Sequence, residues 1–437
     1  MASHTVNPVA PKPAAPKPAA PKFAAPKFAA PKFAAPRPAA NKFPTVRLRP
    51  QRPDRLRHPW VYDNEIATGP PEGFENGGVV RIVDARGKML GAGYFNARSK
   101  IAVRYLTRRG DISVDAAFWR SRIVQAHEFR QAHYREGDAL PVAYRLVHGE
   151  SDSLPGLIVD VYGPFLVVQF LALGLEPWRE VILSALQDTL TPTGIYERSD
   201  SAVRRLEGLE ERVGVLAGEA PPDELLLEDE GMTILADLKT GAKTGLFLDQ
   251  RQNQKAAARQ ARGRDVLNCF AYTGLFGLRA ALAGAKSVTD VEISPEFTAL
   301  GRRQWERSEV AATHSSVTEN VFDYLRSLEA ASYRTDMVVL DPPAFTKNRA
   351  SRDGAIRGYN EINRVALRLL RPGGVLVTCS CSHHLSAPEF REIVEGAARD
   401  AGRVLKLIES RGQPADHPVL LDAPESEYLK CLILAAE

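Results

Sequence analysis

The 437-residue sequence has few cysteines and no long apolar run. Its four cysteines, Cys269, Cys379, Cys381 and Cys431, are too few for a disulfide scaffold in so long a chain, which favours a reducing, cytoplasmic setting. No apolar stretch approaches the roughly 20 residues of a membrane-spanning helix, and the first residues lack the apolar segment of a signal peptide. With 44% hydrophobic and 25% charged residues, the composition is that of a globular protein of two or three domains.

Acidic residues are missing from the start of the chain. Residues 1–46 carry +7 with no Asp or Glu, and residues 47–110 carry another +7, so the remainder holds −10 of the net +4. Such a gradient favours a polyanion-binding module joined to a mildly acidic body, although a solvated basic surface explains the charge equally well.

The first 45 residues differ in composition from the rest of the chain. A proline recurs at about every fifth position of a Pro-Lys-Pro/Phe-Ala-Ala repeat over residues 8–40, which forbids a continuous helix. We predict a disordered tail over residues 1–45. Its evenly spaced cations would attract RNA phosphates, or it would serve only as a solubilising tail.

Residues 46–112 predict a small β-barrel, because short alternating runs are separated by Gly, Asn and Asp turns. The candidate strands are residues 46–49, 77–84, 89–95 and 101–106. Arg55, Arg57 and Arg98 are candidate phosphate contacts. Trp60 would either stack on a base or fill the core of the barrel.

Residues 113–240 predict a central α+β domain. Its elements are an amphipathic helix at 113–135 with apolar positions Phe118, Trp119, Ile123 and Phe129, a strand at 165–170, a helix at 177–190 and a strand at 194–197. His148, Glu150 and Asp152 lie close together, but no second cluster completes a metal site, so we expect loop-satisfied polar groups and no metal.

Residues 241–437 alternate strand and helix, the pattern of a doubly wound, mostly parallel sheet. Seven strands are predicted at 265–269, 287–292, 314–319, 336–340, 374–379, 404–409 and 428–434. Helices are predicted at 275–283, 295–308, 321–329, 355–370 and 387–401. The expected fold is therefore an α/β, Rossmann-like domain preceded by a small α+β domain and an N-terminal barrel.

The first β–α turn, residues 265–277, lacks the G-x-G-x-x-G that cradles a pyrophosphate. S-adenosylmethionine has no phosphate and needs only a glycine for close backbone approach and an acid for the ribose. Gly274 is the candidate glycine, and Glu292 stands 18 residues further on, near the ~20 expected of a ribose acid. Asn320 would bind the adenine amino group or cap the helix that follows it.

The residues at the ends of the fourth and fifth predicted strands indicate the function more specifically than the first β–α turn does. Asp341-Pro-Pro-Ala-Phe345 ends an apolar strand in a stiff loop that presents a carboxylate and an aromatic ring to a planar base. The next strand follows the turn at 372–374 and carries Cys379 and Cys381. In an open α/β sheet both strand ends meet at the ligand crevice.

Taken together, these motifs resemble the bacterial 23S ribosomal RNA cytosine-C5 methyltransferase family, which joins a PUA barrel to a class I methyltransferase. The resemblance covers about residues 46–437. It rests on His58-Pro-Trp60, Gly149-Glu-Ser-Asp152, Leu154-Pro-Gly-Leu157, Gly245-Leu-Phe-Leu-Asp-Gln-Arg251, Tyr272-Thr-Gly274, Asp341-Pro-Pro-Ala-Phe345, Ser380-Cys-Ser382 and Ala415-Asp-His-Pro418. Glu292 and Asn320 depart from the family, where Asp and an acidic residue are common.

The resemblance implies S-adenosylmethionine as cofactor and a cysteine nucleophile seven residues past Gly374, which is Cys381; Cys379 is the runner-up. It implies that Asp341 holds the cytosine edge and that Phe345 contacts RNA. The implied cofactor contacts are Asn268, Phe270, Tyr272, Thr273, Gly274, Glu292, Asn320, Asp341 and Gln250.

The implied substrate is ribosomal RNA, expected to be 23S RNA, either naked or in an assembling large subunit. A homodimer is a further partner expectation. Two alternatives stay open: a class I methyltransferase acting on a guanine of ribosomal RNA, and a non-catalytic RNA-binding assembly factor.

Overall fold

The computed structural model describes residues 43–50, 55, 57–110, 113–135, 139–345 and 352–437. The described residues belong to one compact unit. Nearly all of the predicted tail over residues 1–45 lies outside the described residues. Within the described ranges, no helix combines the length and the apolar character needed to cross a membrane.

The strands are β1 Thr45–Leu48, β2 Trp60–Val61, β3 Ile66–Thr68, β4 Val79–Val83, β5 Met89–Phe95, β6 Val103–Thr107, β7 Ala143–His148, β8 Leu157–Tyr162, β9 Phe165–Phe170, β10 Gly194–Ser199, β11 Arg212–Gly218, β12 Leu225–Asp229, β13 Met232–Ala236, β14 Asp265–Cys269, β15 Ser287–Glu292, β16 Thr313–Thr318, β17 Thr335–Leu340, β18 Leu370–Ser380, β19 Leu405–Arg411 and β20 Lys430–Ala436. The helices are α1 Ala116–His133, α2 Arg179–Leu190, α3 Val203–Leu206, α4 Arg251–Ala258, α5 Leu275–Leu282, α6 Pro295–Glu306, α7 Val321–Ala330, α8 Arg352–Leu369 and α9 Ala387–Ala401.

The N-terminal strands form one six-stranded sheet in the order β2-β6-β5-β4-β1-β3. Alternate residues such as Val46, Leu48, Val80 and Ile82 are buried on one side, as the period of two in a strand requires. At Gly91 a Cβ would lie 2.1 Å from the Thr107 carbonyl oxygen, so only glycine lets β5 approach β6 this closely.

The central sheet has the order β11-β10-β9-β8-β7, and α1 and α2 share its buried apolar core. The aspartate before α1 caps the helix, because Asp115 accepts a 3.0 Å hydrogen bond from the Phe118 amide. Trp119 and Ile123 of α1 are buried as predicted. Phe129 is not, since it is 38% exposed and lies against the His133 ring, so its assignment to the apolar face was wrong.

The hairpin of β12 and β13 packs into the same apolar core as the third sheet. Leu227 and Ile234 share a buried cluster with Val266 of β14 and Phe276 of α5. The same cluster includes Tyr162, Phe165 and Val167 of the central sheet. The hairpin thus packs against residues on both sides of the predicted boundary at residue 240.

The third sheet has seven strands in the order β16-β15-β14-β17-β18-β20-β19. β14 to β18 pair in parallel, and β20 is antiparallel to both of its neighbours. The predicted mostly parallel, seven-stranded sheet is thereby confirmed. β18 begins at Leu370, earlier than expected, because Leu370 already pairs with Thr335 of β17.

Candidate active site

A cavity of about 640 Å³ opens at the carboxyl ends of the parallel strands of the third sheet. Its wall includes the turn after β14, Glu292 at the end of β15, Asp341 and the residues after β17, and Cys381 after β18. The segment around α4 closes the wall on another side, through residues 242–254. The strand order places these groups together, since β14 lies between β15 and β17.

The turn after β14 has an unusual backbone. Phe270 and Tyr272 have φ values of +59° and +51°, and Gly274 follows with +81°. Left-handed backbone at non-glycine residues is costly and is often found at functional sites. The absent Cβ of Gly274 would lie 2.7 Å from Asp290 Oδ2. The turn and the packing on Asp290 therefore require glycine here, and the close cofactor approach at Gly274 stays a prediction.

Glu292 reaches back to the same turn. Its carboxylate accepts the Tyr272 amide at 2.8 Å and the Ser294 amide at 3.0 Å. Both contacts hold the carboxylate at the cavity wall. Asn320 also lines the cavity, and its side chain accepts the Phe322 amide at 2.9 Å. It thus caps α7, which was the second of its two predicted roles.

Asn268 is placed differently from its predicted cofactor role. It is buried in β14 and donates a 2.7 Å hydrogen bond to Asp290 Oδ1, beneath the cavity wall. A direct cofactor contact by its side chain is therefore not supported. Thr273 does line the cavity, and its buried hydroxyl has no hydrogen-bond partner in the described part of the chain.

Asp341 and Gln250 meet across the cavity. Gln250 Nε2 donates to Asp341 Oδ1 at 2.7 Å, and Asn253 Nδ2 donates to Gln250 Oε1 at 2.8 Å. Burial raises the pKa of Asp341 to about 7, with a further increase from the charge of Asp249. Asp341 is therefore a carboxyl group that changes protonation near neutral pH.

Asp249 is the ionised neighbour. Its Oδ2 accepts from Lys243 Nζ at 3.0 Å and from the Tyr428 hydroxyl at 2.7 Å. Although burial opposes ionisation, Lys243, His417 and Tyr428 together hold the pKa of Asp249 well below its usual range. One wall of the cavity thus carries a charged carboxylate close to a carboxyl group that is readily protonated.

The two candidate thiols are in different surroundings. Cys381 is partly exposed and lines the cavity. Cys379 is fully buried in the apolar core, where Cys431 is its partner in the strand register. Burial and the charge of Asp341 raise the pKa of Cys381, whereas Lys243 and Lys430 oppose that rise.

The residues on both sides of Cys381 are held by one tyrosine. The hydroxyl of Tyr359, which is buried in α8, lies 3.0 Å from Ser380 Oγ and 3.0 Å from Ser382 Oγ. Lys430 Nζ donates to the Ser382 carbonyl at 2.7 Å. The backbone that carries the thiol is therefore fixed from two elements.

Phe345 lies on the cavity wall but packs into an aromatic cluster. Its ring centroid is 4.6 Å from that of Tyr359, 5.8 Å from Phe322 and 6.4 Å from Phe270. The predicted RNA contact at Phe345 stays a prediction.

Two of the four RNA contacts predicted in the N-terminal sheet, Arg55 and Trp60, are bound to half-buried carboxylates of the protein. Arg55 forms a double hydrogen bond with Glu65, at 3.1 and 3.2 Å, and is only 14% exposed. Trp60 Nε1 donates to Glu150 Oε1 at 2.7 Å. Both side chains stabilise the fold, so a phosphate contact by Arg55 and base stacking by Trp60 are not supported. Arg57 and Arg98 are exposed.

The polar residues that were weighed as metal ligands are held by protein groups. Arg130 contacts the Asp152 carboxylate with two nitrogens, and Arg104 pairs with Glu150 at 2.8 Å. Across the described ranges, no group of three or more His, Cys, Asp or Glu residues is arranged to hold a metal ion.

Sequence reasoning missed several residues of this site. Asp249 and Lys243 lie in or beside the Gly245–Arg251 motif that was recognised as a matching stretch, so the signal was present. Tyr359, Tyr428 and Lys430 lie far from any motif. Only the pairing of strands and the packing of α8 bring them to Cys381.

Comparison with known families is consistent with this geometry. Residues 46–108 match the PUA-like domain family, and residues 199–434 match the S-adenosylmethionine-dependent methyltransferase family. A putative methyltransferase, SMU.776, solved in complex with SAH, superposes with a TM-score of 0.75 at 23% identity over 90% of this chain and 99% of its own. This likeness shows the fold. Together, the fold, the cavity and the family matches define an S-adenosylmethionine-dependent methyltransferase with a PUA-like domain.

Curated relatives narrow the family further. A Tolumonas auensis protein named ribosomal RNA large subunit methyltransferase I is 42% identical over 398 residues, 90% of this chain and 99% of the relative. A protein of the same name from Klebsiella pneumoniae strain 342 is 41% identical over 89% of this chain and 97% of its own. The chain belongs to the ribosomal RNA large subunit methyltransferase I family.

Proposed function

We propose that this protein transfers a methyl group from S-adenosylmethionine to C5 of a cytosine in 23S ribosomal RNA, with Cys381 as the nucleophile. The relatives named above support large-subunit ribosomal RNA as the substrate. The observation that carries the chemistry is the cavity itself, because it joins a partly exposed thiol, Cys381, to the Asp341 carboxyl group at neighbouring strand ends.

The residues present fit the cofactor. The cavity has the volume of an ordinary small-ligand site, and its wall includes an acid for ribose hydroxyls, Glu292. Thr273 adds a buried hydroxyl that lacks a partner among the described residues. Phe270, Tyr272 and Asn320 would surround the nucleoside. When bound there, S-adenosylmethionine supplies an electrophilic methyl group.

The protein's own groups would activate the base. Cytosine C5 is a poor nucleophile, and addition of the Cys381 thiolate at C6 makes C5 electron-rich. Asp341, oriented by Gln250, would hold the N3 and N4 edge. With a pKa of about 7, it can donate a proton to N3 as the adduct forms. Loss of the C5 proton and departure of the thiol then restore the aromatic ring.

The N-terminal sheet would bind the RNA backbone. Arg57 and Arg98 are the exposed arginines that remain candidates for phosphate contacts. Arg57 pairs with Asp422 at 3.2 Å while 81% of its side chain stays exposed, so the phosphate would compete only with a weak surface ion pair.

The division into a tail (1–45), a PUA-like barrel (46–112), a central domain (113–240) and a methyltransferase domain (241–437) is part of this proposal. It follows the three larger sheets, apart from the hairpin of β12 and β13. A cytoplasmic location, a homodimer, and action on naked RNA or on an assembling subunit stay predictions from the sequence.

The test is to incubate the protein with radiolabelled S-adenosylmethionine and unmodified 23S RNA and to identify the labelled nucleoside. We expect 5-methylcytidine from the wild type and none from Cys381→Ala. Label in a methylguanosine would favour the guanine alternative. No label with any ribosomal RNA would favour the non-catalytic binding protein.

A further inference from the structure

A buried ammonium group stands beside the cavity without a carboxylate partner. Lys430 begins β20, pairs in register with Ser380 of β18, and is 6% exposed. Its Nζ donates to the Ser382 carbonyl at 2.7 Å and the Tyr428 carbonyl at 2.8 Å. Within the described ranges, no carboxylate lies within ion-pair distance of Lys430.

A buried cation without a counter-ion is costly, and a buried titratable group with a shifted pKa beside a cleft is a candidate functional residue. Burial lowers the pKa of Lys430 to about 8, whereas Cys381, Glu427 and Glu389 favour the charged amine. Of these, Glu389 is already bound to Arg352 and Ser386. Of these three residues, Cys381 is next in the chain to Ser382, whose carbonyl oxygen accepts a hydrogen bond from Lys430.

Four charged side chains and one neutral hydroxyl surround the Cys381 thiol. Asp341 after β17 and Asp249 before α4 disfavour the thiolate, whereas Lys243 and Lys430 favour it. The neutral hydroxyl of Tyr359 faces it from α8. The Lys243 ammonium forms a 3.0 Å ion pair with Asp249, so its charge is largely compensated. Lys243 has the larger effect on the pKa of Cys381, but the charge of Lys430 is not compensated by an ion pair with a carboxylate among the described residues.

We propose that Lys430 is the counter-ion of the Cys381 thiolate and the positioning residue that keeps this charge beside the sulfur. The proposal rests on the proposed function in that it takes Cys381 as the nucleophile. Because the pKa of Lys430 is about 8, the amine is protonated at neutral pH, so a thiolate that forms there lies near an ammonium that keeps its two carbonyl contacts. Because one of those carbonyls belongs to Ser382, the ammonium and the thiol-bearing backbone move together.

The test measures the thiol without RNA or methyl donor. Iodoacetamide alkylation of Cys381 in the full chain is followed from pH 6 to 10, with Cys381→Ala as background, since the other three cysteines are buried. In Lys430→Gln we expect at least about threefold slower alkylation at pH 7, where the wild-type amine is protonated, and a difference that shrinks above pH 8 as that amine loses its proton. Lys430→Arg, which keeps the charge, should stay near the wild type at pH 7.

Two further variants keep the test decisive. Lys430→Met removes the charge without burying an amide and carries the same expectation, in case the glutamine variant does not fold. Lys406→Gln in β19 removes an exposed lysine that is bound to Glu437, and it should not alter the thiol.

An unchanged alkylation rate at pH 7 in charge-removing variants that unfold at the wild-type temperature would overturn the proposal. Weaker binding of S-adenosylhomocysteine with an unchanged thiol would also overturn it, because Lys430 would then serve the cofactor carboxylate. A wild type that forms no 5-methylcytidine would refute the proposed function but leave the thiol measurement intact.

Discussion

The side-chain amide of Gln250 donates a 2.7 Å hydrogen bond to Asp341 Oδ1, and Asn253 fixes the other end of that amide. The bond joins the segment before α4 to the end of β17 across the cavity. It favours the ionised carboxylate, but burial and Asp249 outweigh it and raise the pKa of Asp341 to about 7. The raised pKa of Asp341 makes the stability of the fold depend on pH, which can be measured without substrate.

Asp341→Asn should stabilise the protein at neutral and alkaline pH. The folded pKa of about 7 lies above the ordinary value of 3.8, so the folded state binds more protons between these values and loses stability as pH rises through them. We expect the Tm of the variant to exceed that of the wild type by a few degrees at pH 8, with the difference vanishing near pH 4. Calorimetry across this pH range measures it.

Asp249→Asn is the matched control with the opposite sign. Lys243 and Tyr428 hold the pKa of Asp249 below its usual range, so its ionisation stabilises the fold at all pH values above that range. This variant should have a lower Tm at pH 8. Equal or reduced stability of Asp341→Asn at pH 8 would contradict the raised pKa.

Tyr359→Phe should slow methylation without weakening cofactor binding. The hydroxyl holds Ser380 and Ser382 on either side of the thiol, and its loss leaves the backbone of Cys381 less well positioned. We expect roughly a tenfold lower kcat, measured in single-turnover methylation, with unchanged affinity for S-adenosylhomocysteine by calorimetry. A Tyr359→Phe enzyme with wild-type kcat would show that Ser382 is held well enough by Lys430 alone.

Arg57 and Arg98 should contribute to RNA affinity, whereas Arg55 should not. Replacing either exposed arginine by Gln removes at most one phosphate contact and should reduce the salt slope of binding by roughly 0.7–0.9. Arg55→Gln makes the same chemical change at a residue bound to Glu65, so it should lower the Tm and leave the slope unaltered. Filter binding at several salt concentrations distinguishes them. A slope that falls only for Arg55→Gln would reverse the assignment.

Most of the third sheet could be predicted from its sequence, because apolar runs and turn residues mark its strands and helices locally. The predicted strand at 265–269 coincides with β14, and the helix at 387–401 coincides with α9. The predicted strand ends brought Asp341 together with Cys379 or Cys381, and the family resemblance chose Cys381; Asp341 and Cys381 line the same cavity in the structure.

The sequence was least informative where a residue's role depends on a distant partner. Arg55 was predicted to contact phosphate, and Trp60 was predicted either to stack on a base or to fill the barrel core, but Glu65 binds Arg55 and Glu150 accepts from Trp60. Asn268 was predicted to contact the cofactor, but its side chain donates a hydrogen bond to Asp290 beneath the cavity wall. Lys430 carried no local signal at all, because only antiparallel pairing of β20 with β18 brings it to Cys381.

The central claim is that Cys381 adds covalently to a cytosine of 23S RNA. RNA transcribed with 5-fluorocytidine tests it most directly, because fluorine at C5 cannot leave as a proton and the adduct therefore persists. The account predicts a denaturation-resistant complex that requires S-adenosylmethionine and whose RNA-linked peptide contains Cys381. The complex should form with Cys379→Ala and be absent with Cys381→Ala. A complex that survives Cys381→Ala, or linkage through any other residue, would contradict the account.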